Sequence, residues 1–475
     1  MLNIIIAVLA IIFVLGVAIN IHEFGHFIVA KLFGMRVEAY SFFGLGPRLF
    51  GVKIGHTDYR VSAIPLGAYV KLYGDEETAV LEGGSSEEKV EAFLEQRNIG
   101  EIDAEKHAKF VVPESELYEL RPRWQKFFVM LGGPFMNFVL ALAIPLGIAL
   151  WLGVPANPAP IVGFVKPDGA AAHAGIKAGD RIVAFQGEEN PSWARIEDDA
   201  LLIPEKPVAI GVERDGQRLD LTITPTKLTQ SGQSAGILDM DPDTGTEPVV
   251  VSSLDPSLPA AKDGVQVGDW VKAVNGVNIT NIRKMQSVVT ESKGQPLALS
   301  IDRKGEKLTI TTHAEQKDDR WLIGIGFDPS MLAKRDSVGI VGATSFAVDQ
   351  NMRILRLTGV ALGQVSTGER SARDTLSGPI GIGQAIVNQV FAAGFFGLLP
   401  LLMAISLTLG VMNLLPIPML DGGQIMVLGI EKVLSWFGKT LSLVARERIQ
   451  LTGLGIVLLL MMTTIFFDIS RLLGK

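Results

Sequence analysis

The sequence contains no cysteine. Disulfides, thiolate metal sites and a cysteine nucleophile are therefore excluded, and any metal must be held by histidine and carboxylate. Histidine is itself scarce: His22, His26, His56, His107, His173 and His313 are the only candidates. Basic charge is not in excess either. With 43 Lys and Arg against 50 Asp and Glu, the formal net charge is −7, which gives no electrostatic case for nucleic acid as a partner. The lack of cysteine does not choose a compartment, because such a chain folds in either redox setting.

What the chain has in quantity is apolar sequence, 48% of its 475 residues. Four stretches approach or exceed the roughly 20 apolar residues that cross a bilayer: 2–30, 127–152, 391–415 and 449–467. The first has no basic residue before its apolar run and no clear small-residue cleavage site, so it reads as a retained span rather than a signal peptide. Basic side chains cluster after the first span (Lys31, Arg36, Arg48), before the second (Arg121, Arg123, Lys126) and between the third and fourth (Lys432, Lys439, Arg446, Arg448). The positive-inside rule puts those loops in the cytosol, and the long stretch 155–390 and both termini outside.

That long stretch repeats itself at an offset of 89 residues. Pro167, Ala171, Gly175, Gly179, Asp180 and Arg214 recur as Pro256, Ala260, Gly264, Gly268, Asp269 and Arg303. Alternating runs broken by Asp215-Gly216 and Lys304-Gly305 are hairpin signals. Two copies of one small β-rich domain are expected. The runs Ala174–Ala184 and Asp263–Ala273 resemble bacterial PDZ domains, which bind extended peptides or chain ends by strand addition. A ligand-free spacer is the plainer alternative. The segment 337–373 has helical periodicity with basic residues, suited to a membrane surface.

At the end of the first apolar run stands His22-Glu23-Phe24-Gly25-His26. On a helix, positions i and i+4 share a face, so both imidazoles can reach one zinc ion, with Glu23 beside them to take a proton from water. Two surface histidines are the ordinary alternative. However, three ionisable groups in an apolar segment are costly without a compensating partner, and a metal is one. A third ligand is expected at the same depth. Asp421 is the only carboxylate between Phe391 and Ile430, just after Asn413-Leu-Leu-Pro416-Ile-Pro418. It reads either as that ligand or as the N-cap of the next helix.

H-E-F-G-H in a first span, N-x-x-P-x-P-x-x-D-G late in the chain and tandem PDZ-like repeats between them resemble the site-2 protease family of intramembrane zinc metalloproteases. The resemblance extends to Phe43–Pro47, Gly132–Asn137 and Ser377–Ile380. It implies His22, His26 and Asp421 as zinc ligands, Glu23 as catalytic base, and Asn413, Pro416 and Pro418 shaping the substrate side. It also implies cleavage of a membrane-spanning anti-sigma factor after another protease has trimmed it, with the PDZ domains excluding uncut substrate. Leftover signal peptides are a second substrate class. Gln424 stands where the family often has histidine, and the acidic stretch 76–120 is longer than expected.

The run Thr57–Tyr73 is rich in β-formers and lies on the active-site side. It is expected to form a hairpin dipping into the membrane, its edge pairing with an extended substrate, with Tyr69 among the substrate-binding residues. An ordinary cytosolic hairpin is the alternative.

The whole reads as a polytopic α-helical membrane protein of the bacterial inner membrane, with four transmembrane helices, a membrane-associated β-hairpin region and two tandem β-rich PDZ domains. The expected boundaries are 1–33 (first span), 34–75 (hairpin region), 76–122 (acidic cytosolic insertion), 123–153 (second span), 156–245 and 246–330 (PDZ domains), 331–390 (amphipathic helices), 391–420 (third span), 421–448 (cytosolic loop) and 449–472 (fourth span). Zinc is the expected cofactor. Single-pass membrane proteins, PDZ peptide ligands and membrane lipid are the expected partners. The rival reading is a membrane-anchored PDZ scaffold with a non-catalytic zinc site. A transporter is disfavoured, since the spans show no inverted repeat.

Overall fold

A computed structural model of the chain describes residues 2–42, 44–64, 67–73, 113–230, 233–243, 249–279, 282–317, 320–327, 335–439 and 441–473. Most of the acidic insertion expected at 76–122 lies outside them. The chain divides into two compact units, one comprising Met1–Ile148, Ala343–Ile354 and Leu376–Lys475, the other Ala149–Gly342 and Leu355–Thr375.

The first unit is built on α1 (Leu2–Leu32), an uninterrupted apolar helix without proline. It stops where Gly34 takes φ +68°, letting the amides of Gly34 and Met35 bond back to Lys31 and Ala30. A second long helix, α2 (Arg123–Leu152), carries Pro134 and Pro145 inside it. Next come α3 (Pro379–Ala393), α4 (Leu398–Asn413), α5 (Asp421–Trp436) and α6 (Leu443–Leu472). Small residues on α1, Ala10, Val14 and Ala18, let it pack closely on Ile386 and Val390 of α3 and on Leu398 and Leu402 of α4.

Three of these helices, α1, α2 and α6, are long and apolar enough to cross a membrane. The third expected span differs. Instead of one helix over 391–415, the chain breaks after Ala393, where Gly394 adopts φ +65°, and restarts at Leu398. Glycine takes a left-handed conformation that apolar side chains resist, so hydropathy alone could not reveal the break. What remains is a 16-residue apolar helix, about 24 Å long at 1.5 Å per residue.

Between α1 and α2 lies a four-stranded sheet of β1 (Val37–Phe42), β2 (Leu45–Ile54), β3 (Thr57–Ile64) and β4 (Tyr69–Leu72), ordered β2-β3-β1-β4. This corrects the expected hairpin over 57–73. The hairpin is β2–β3, turning at Gly55 (φ +61°), while β3 and β4 flank β1 on opposite sides. β1 is the most buried strand, so both its edges are covered, and β3 reaches it in parallel only because β2 intervenes. Phe27 of α1 packs tilted at 35° against the Tyr40 ring, 5.0 Å between centroids, and the Lys31 ammonium donates to the Thr57 hydroxyl at 2.7 Å. These contacts hold the sheet on the helix that carries the two histidines.

The second unit contains two β-rich cores, one around Phe185, Ile196, Ile210 and Ile223, the other around Val271, Met285, Leu299 and Ile301. In the first, β5 (Arg181–Phe185), β6 (Val208–Arg214) and β7 (Gln217–Ile223) run consecutively antiparallel; in the second, β8 (Trp270–Val274), β9 (Leu297–Arg303) and β10 (Glu306–Thr312) do the same. The 89-residue repeat extends to individual bonds. Arg214 donates from Nε and Nη2 to Asp180 at 2.7 Å and from Nη2 to the Gly175 carbonyl at 2.8 Å; Arg303 does so to Asp269 and Gly264 at the same distances.

Burial alone would push the Asp180 and Asp269 carboxyls up. The arginine donors, with the amides of Lys177 and Gln266, outweigh it and hold both below the usual carboxylate range. A depressed folded-state pKa stabilises above the unfolded value and ceases to do so as pH falls through the folded one. Amide protection in β5 and β8 of the full-length chain, measured against the intrinsic exchange rate at each pH, should therefore fall below about pH 4. In Asp180→Asn and Asp269→Asn variants, protection should be lower at neutral pH and that acid-dependent loss smaller, the remainder coming from carboxylates such as Asp239 that are also held low. Equal acid sensitivity in the variants would refute the assignment.

Candidate metal centre and active site

The H-E-x-x-H residues lie on one turn of α1, facing the start of α5. His22 Nε2 and His26 Nε2 are 3.2 Å apart. Asp421 Oδ2 lies 3.1 Å from His22 Nε2, and Oδ1 lies 3.4 Å from His26 Nε2. Asp421 is the first residue of α5; Leu420 precedes it as N-cap, so the aspartate side chain is free to turn to the histidines. Among the described residues this is the only cluster of three with metal-ligand chemistry.

The donor set fits zinc. Three donors about 2.0 Å from a tetrahedral ion stand about 3.3 Å from one another; the two imidazole nitrogens are 3.2 Å apart, each has one Asp421 oxygen within 3.1–3.4 Å, and one donor atom per residue can be chosen with all three within 4.8 Å of one another. Asp421 Oδ2 is buried and has no hydrogen-bond partner, an acceptor that a cation would satisfy.

Close helix contact makes the geometry possible. Gly25 of α1 and Gly132 of α2 meet backbone to backbone: a Cβ on Gly132 would stand 2.6 Å from the Gly25 carbonyl oxygen, and one on Gly133 would stand 2.8 Å from His22 Cε1. Pro134 lacks the N–H that would bond the Met130 carbonyl, loosening the turn of α2 that faces the histidines. Within it, the Val129 carbonyl accepts from His26 Nδ1 at 2.7 Å. His22 Nδ1 meets the carboxamide of Asn137 at 3.1 Å, and the Ser406 hydroxyl of α4 stands 3.0 Å from the Asn137 main-chain oxygen. Sequence reasoning missed Val129, Asn137 and Ser406. The stretch Gly132–Asn137 was visible as a resemblance, but nothing local in it says that it faces the histidines.

A cavity of about 330 Å³ opens on this cluster, with Glu23, Asn413, Val70 and Leu72 in its wall. Val70 and Glu23 share that wall, and the Asn413 amide nitrogen stands 3.5 Å from His22 Nε2. The structure does not bring Tyr69 there. Its ring is covered by the Arg60 guanidinium, 5.1 Å from the centroid, and its hydroxyl accepts from the same group. Strand side chains alternate, so β4 presents Val70 and Leu72 to the cavity and turns Tyr69 away. Pro416 and Pro418 are also outside the wall. They shape the loop that returns the chain from α4 to α5, where Gly422 and Gly423 press against the Leu414 and Ile417 carbonyls and Gly453 of α6 against Pro418. Gln424 lines the cavity without altering the three-donor set.

A family model described as peptidase family M50 matches residues 10–460. The chain is 32% identical over 485 residues to the regulator of sigma-E protease RseP of Escherichia coli (strain K12), covering 96% of this chain and 97% of that one. It is 30% identical to the protease RseP of Yersinia pestis, covering 99% and 100%. It is likewise 30% identical to a putative zinc metalloprotease of Neisseria meningitidis serogroup A / serotype 4A, covering 98% and 99%.

Proposed function

The chain belongs to peptidase family M50, and on that premise we propose that His22, His26 and Asp421 hold its zinc and that Glu23 acts as general base on a peptide bond inside a substrate's membrane span. It is a zinc metalloendopeptidase and a membrane protein. The observation that carries the site assignment is the convergence of three donor atoms from two helices, with Glu23 in the wall of the same cavity.

When bound, zinc supplies Lewis-acid chemistry, making water acidic enough to attack near neutral pH. Glu23 takes the proton of the attacking water and returns it to the leaving amine as the C–N bond breaks. The Asn413 carboxamide donates to the oxygen on which negative charge develops. Burial of the cluster keeps bulk water from competing for these bonds.

A substrate helix hides its peptide bonds, and unpairing one in lipid costs several kcal/mol. β4 is an edge strand whose Val70 lies beside Glu23, so an unwound substrate can add to it as a fifth strand. The strand at the other edge, β2, leaves Leu49, Phe50, Val52 and Ile54 exposed, a surface suited to lipid. With α4 counted as a crossing, the protein has four spans. The positive-inside pattern sets the site toward the cytosol and the paired β-rich units outside, where they act as PDZ domains that take peptides or chain ends. The name of the Escherichia coli relative, a regulator of sigma-E protease, fits the anti-sigma factor that the family resemblance implies as the substrate.

The absence of cysteine makes a direct test clean. In a Glu23→Gln background, Val70→Cys and Leu72→Cys should cross-link to a single-cysteine single-pass substrate, while Tyr69→Cys and Lys71→Cys should not. With Glu23 intact, the same substrate should be cut within its span, and a zinc chelator should stop the cut. Cross-linking without alternation would refute strand addition, and cleavage only outside the span would refute intramembrane hydrolysis.

A further inference from the structure

An imidazole can bind a metal through Nε2 only if its proton sits on Nδ1, so something must hold that proton in place. For His26 the choice is made by the Val129 carbonyl, 2.7 Å from Nδ1, which can only accept. His22 faces a less decisive partner. Its Nδ1 stands 3.1 Å from Asn137 Nδ2, and a half-turn about the last side-chain bond, which exchanges two ends of nearly equal size, puts the carboxamide oxygen there instead. With the NH2 group toward it, His22 keeps its proton on Nε2, where it points at Asp421 Oδ2, 3.1 Å away. With the oxygen toward it, the Nε2 lone pair is free.

Ser406 bears on that choice. Its hydroxyl stands 3.0 Å from the Asn137 main-chain oxygen and 3.3 Å from Oδ1, the end of the carboxamide that faces away from His22 before that half-turn. A hydroxyl has one proton, and a main-chain carbonyl can only accept. Once the Ser406 proton goes to that shorter bond, its oxygen is an acceptor toward the carboxamide and favours the NH2 group on its side. The carboxamide oxygen is then presented to His22. Asn137 and Ser406 both have no exposed surface, so no bulk water competes, and an unpaired group there is costly. Gly410, one turn beyond Ser406 on α4, carries no side chain to hold the helices apart: a Cβ there would lie 3.3 Å from Asn137 Cβ.

We propose that Asn137, oriented by Ser406, is a positioning residue that holds His22 in its metal-binding tautomer, so that α4 helps set zinc affinity without supplying a ligand. The inference rests on the reading of His22, His26 and Asp421 as ligands. It concerns tautomer and orientation, and Asn137 itself touches neither substrate nor metal.

The test uses the full-length chain in detergent, stripped of metal and titrated with zinc against a chromogenic chelator. Cobalt(II) absorption serves as a second readout of ligand geometry. Asn137→Leu, which fills similar space without an acceptor, should weaken zinc binding roughly 10–100-fold and change the cobalt spectrum. Asn137→Asp, which can only accept, should bind within about threefold of the unaltered chain. Ser406→Ala should fall between them, because the carboxamide is then free to turn. Unchanged affinity in Asn137→Leu would overturn the proposal, as would an Asn137→Asp chain that melts like the parent yet binds as weakly as Asn137→Leu. Should Asn137→Leu fail to fold, Ser406→Ala decides: a loss of threefold or more with an altered cobalt spectrum supports the relay, and parental values overturn it. An unaltered chain that takes up no zinc, or an Asp421→Ala chain that binds like the parent, would instead defeat the ligand assignment itself.

Discussion

Replacing Glu23 with glutamine is expected to slow cleavage of a membrane-spanning substrate about 10³-fold, within the range that general acid–base groups contribute, while one zinc per chain is retained. The substitution preserves shape and removes only the capacity to take a proton. Glu23 lines the cavity beside His22 and His26 but is not among the three clustered donor atoms. Loss of turnover with metal retained is the signature of a base; loss of both would make Glu23 a ligand. Unchanged turnover would restore the rival reading of a membrane-anchored scaffold with an inert metal site. The measurement is single-turnover cleavage alongside metal analysis of the same sample.

The second large effect is expected from one methyl group. A Cβ at Gly25 would stand within 2.5 Å of the Gly132 carbonyl carbon, and that neighbour is backbone, which cannot rotate aside. Gly25→Ala must therefore push α1 and α2 apart, stretching the 2.7 Å bond from His26 Nδ1 to Val129. Gly133→Ala acts more directly, since its methyl would enter the space of both imidazoles. Both variants should lose most of their zinc and be destabilised by about 2–3 kcal/mol, as overpacked cores are. Gly147→Ala, on the same helix with nothing within 4 Å of its added carbon, is the control and should be neutral or slightly stabilising. Zinc content and thermal unfolding report the two effects separately. Parental zinc in Gly25→Ala would mean that the close approach does not position the histidines.

What could be read from the residues depended on how local the determining interaction was. The pair His22 and His26 is one helical turn apart, so its shared face follows from the period alone. Asp421 is far away in sequence; as the only carboxylate in a long apolar neighbourhood it stands out, but spacing leaves it open between ligand and helix N-cap, and only the family resemblance implies the ligand. The Asp180–Arg214 and Asp269–Arg303 pairs were legible as a repeat, though not as bonds. The sheet was legible only as β-forming sequence. Which strand sits between which depends on how β1 buries itself, and the hairpin is β2–β3, one strand earlier than the run 57–73 suggests. The side of β4 that faces the cavity follows the same rule: its period is visible in the sequence, its phase is not, and Val70 and Leu72 line the wall where Tyr69 is expected. Asn137 and Ser406 lie 269 positions apart in sequence and meet only through helix packing, which a single chain's pattern does not encode.

The interruption at Gly394 has a consequence for the lipid around the enzyme. A helix of 16 residues, about 24 Å in length, is shorter than the roughly 30 Å hydrocarbon layer. If it crosses, the bilayer must dimple or its polar flanks must sink. Asn413, at one end of that helix, stands beside His22. A thinned patch there would draw the aqueous boundary toward the reaction centre, shortening the distance that a hydrolytic water must travel through oil.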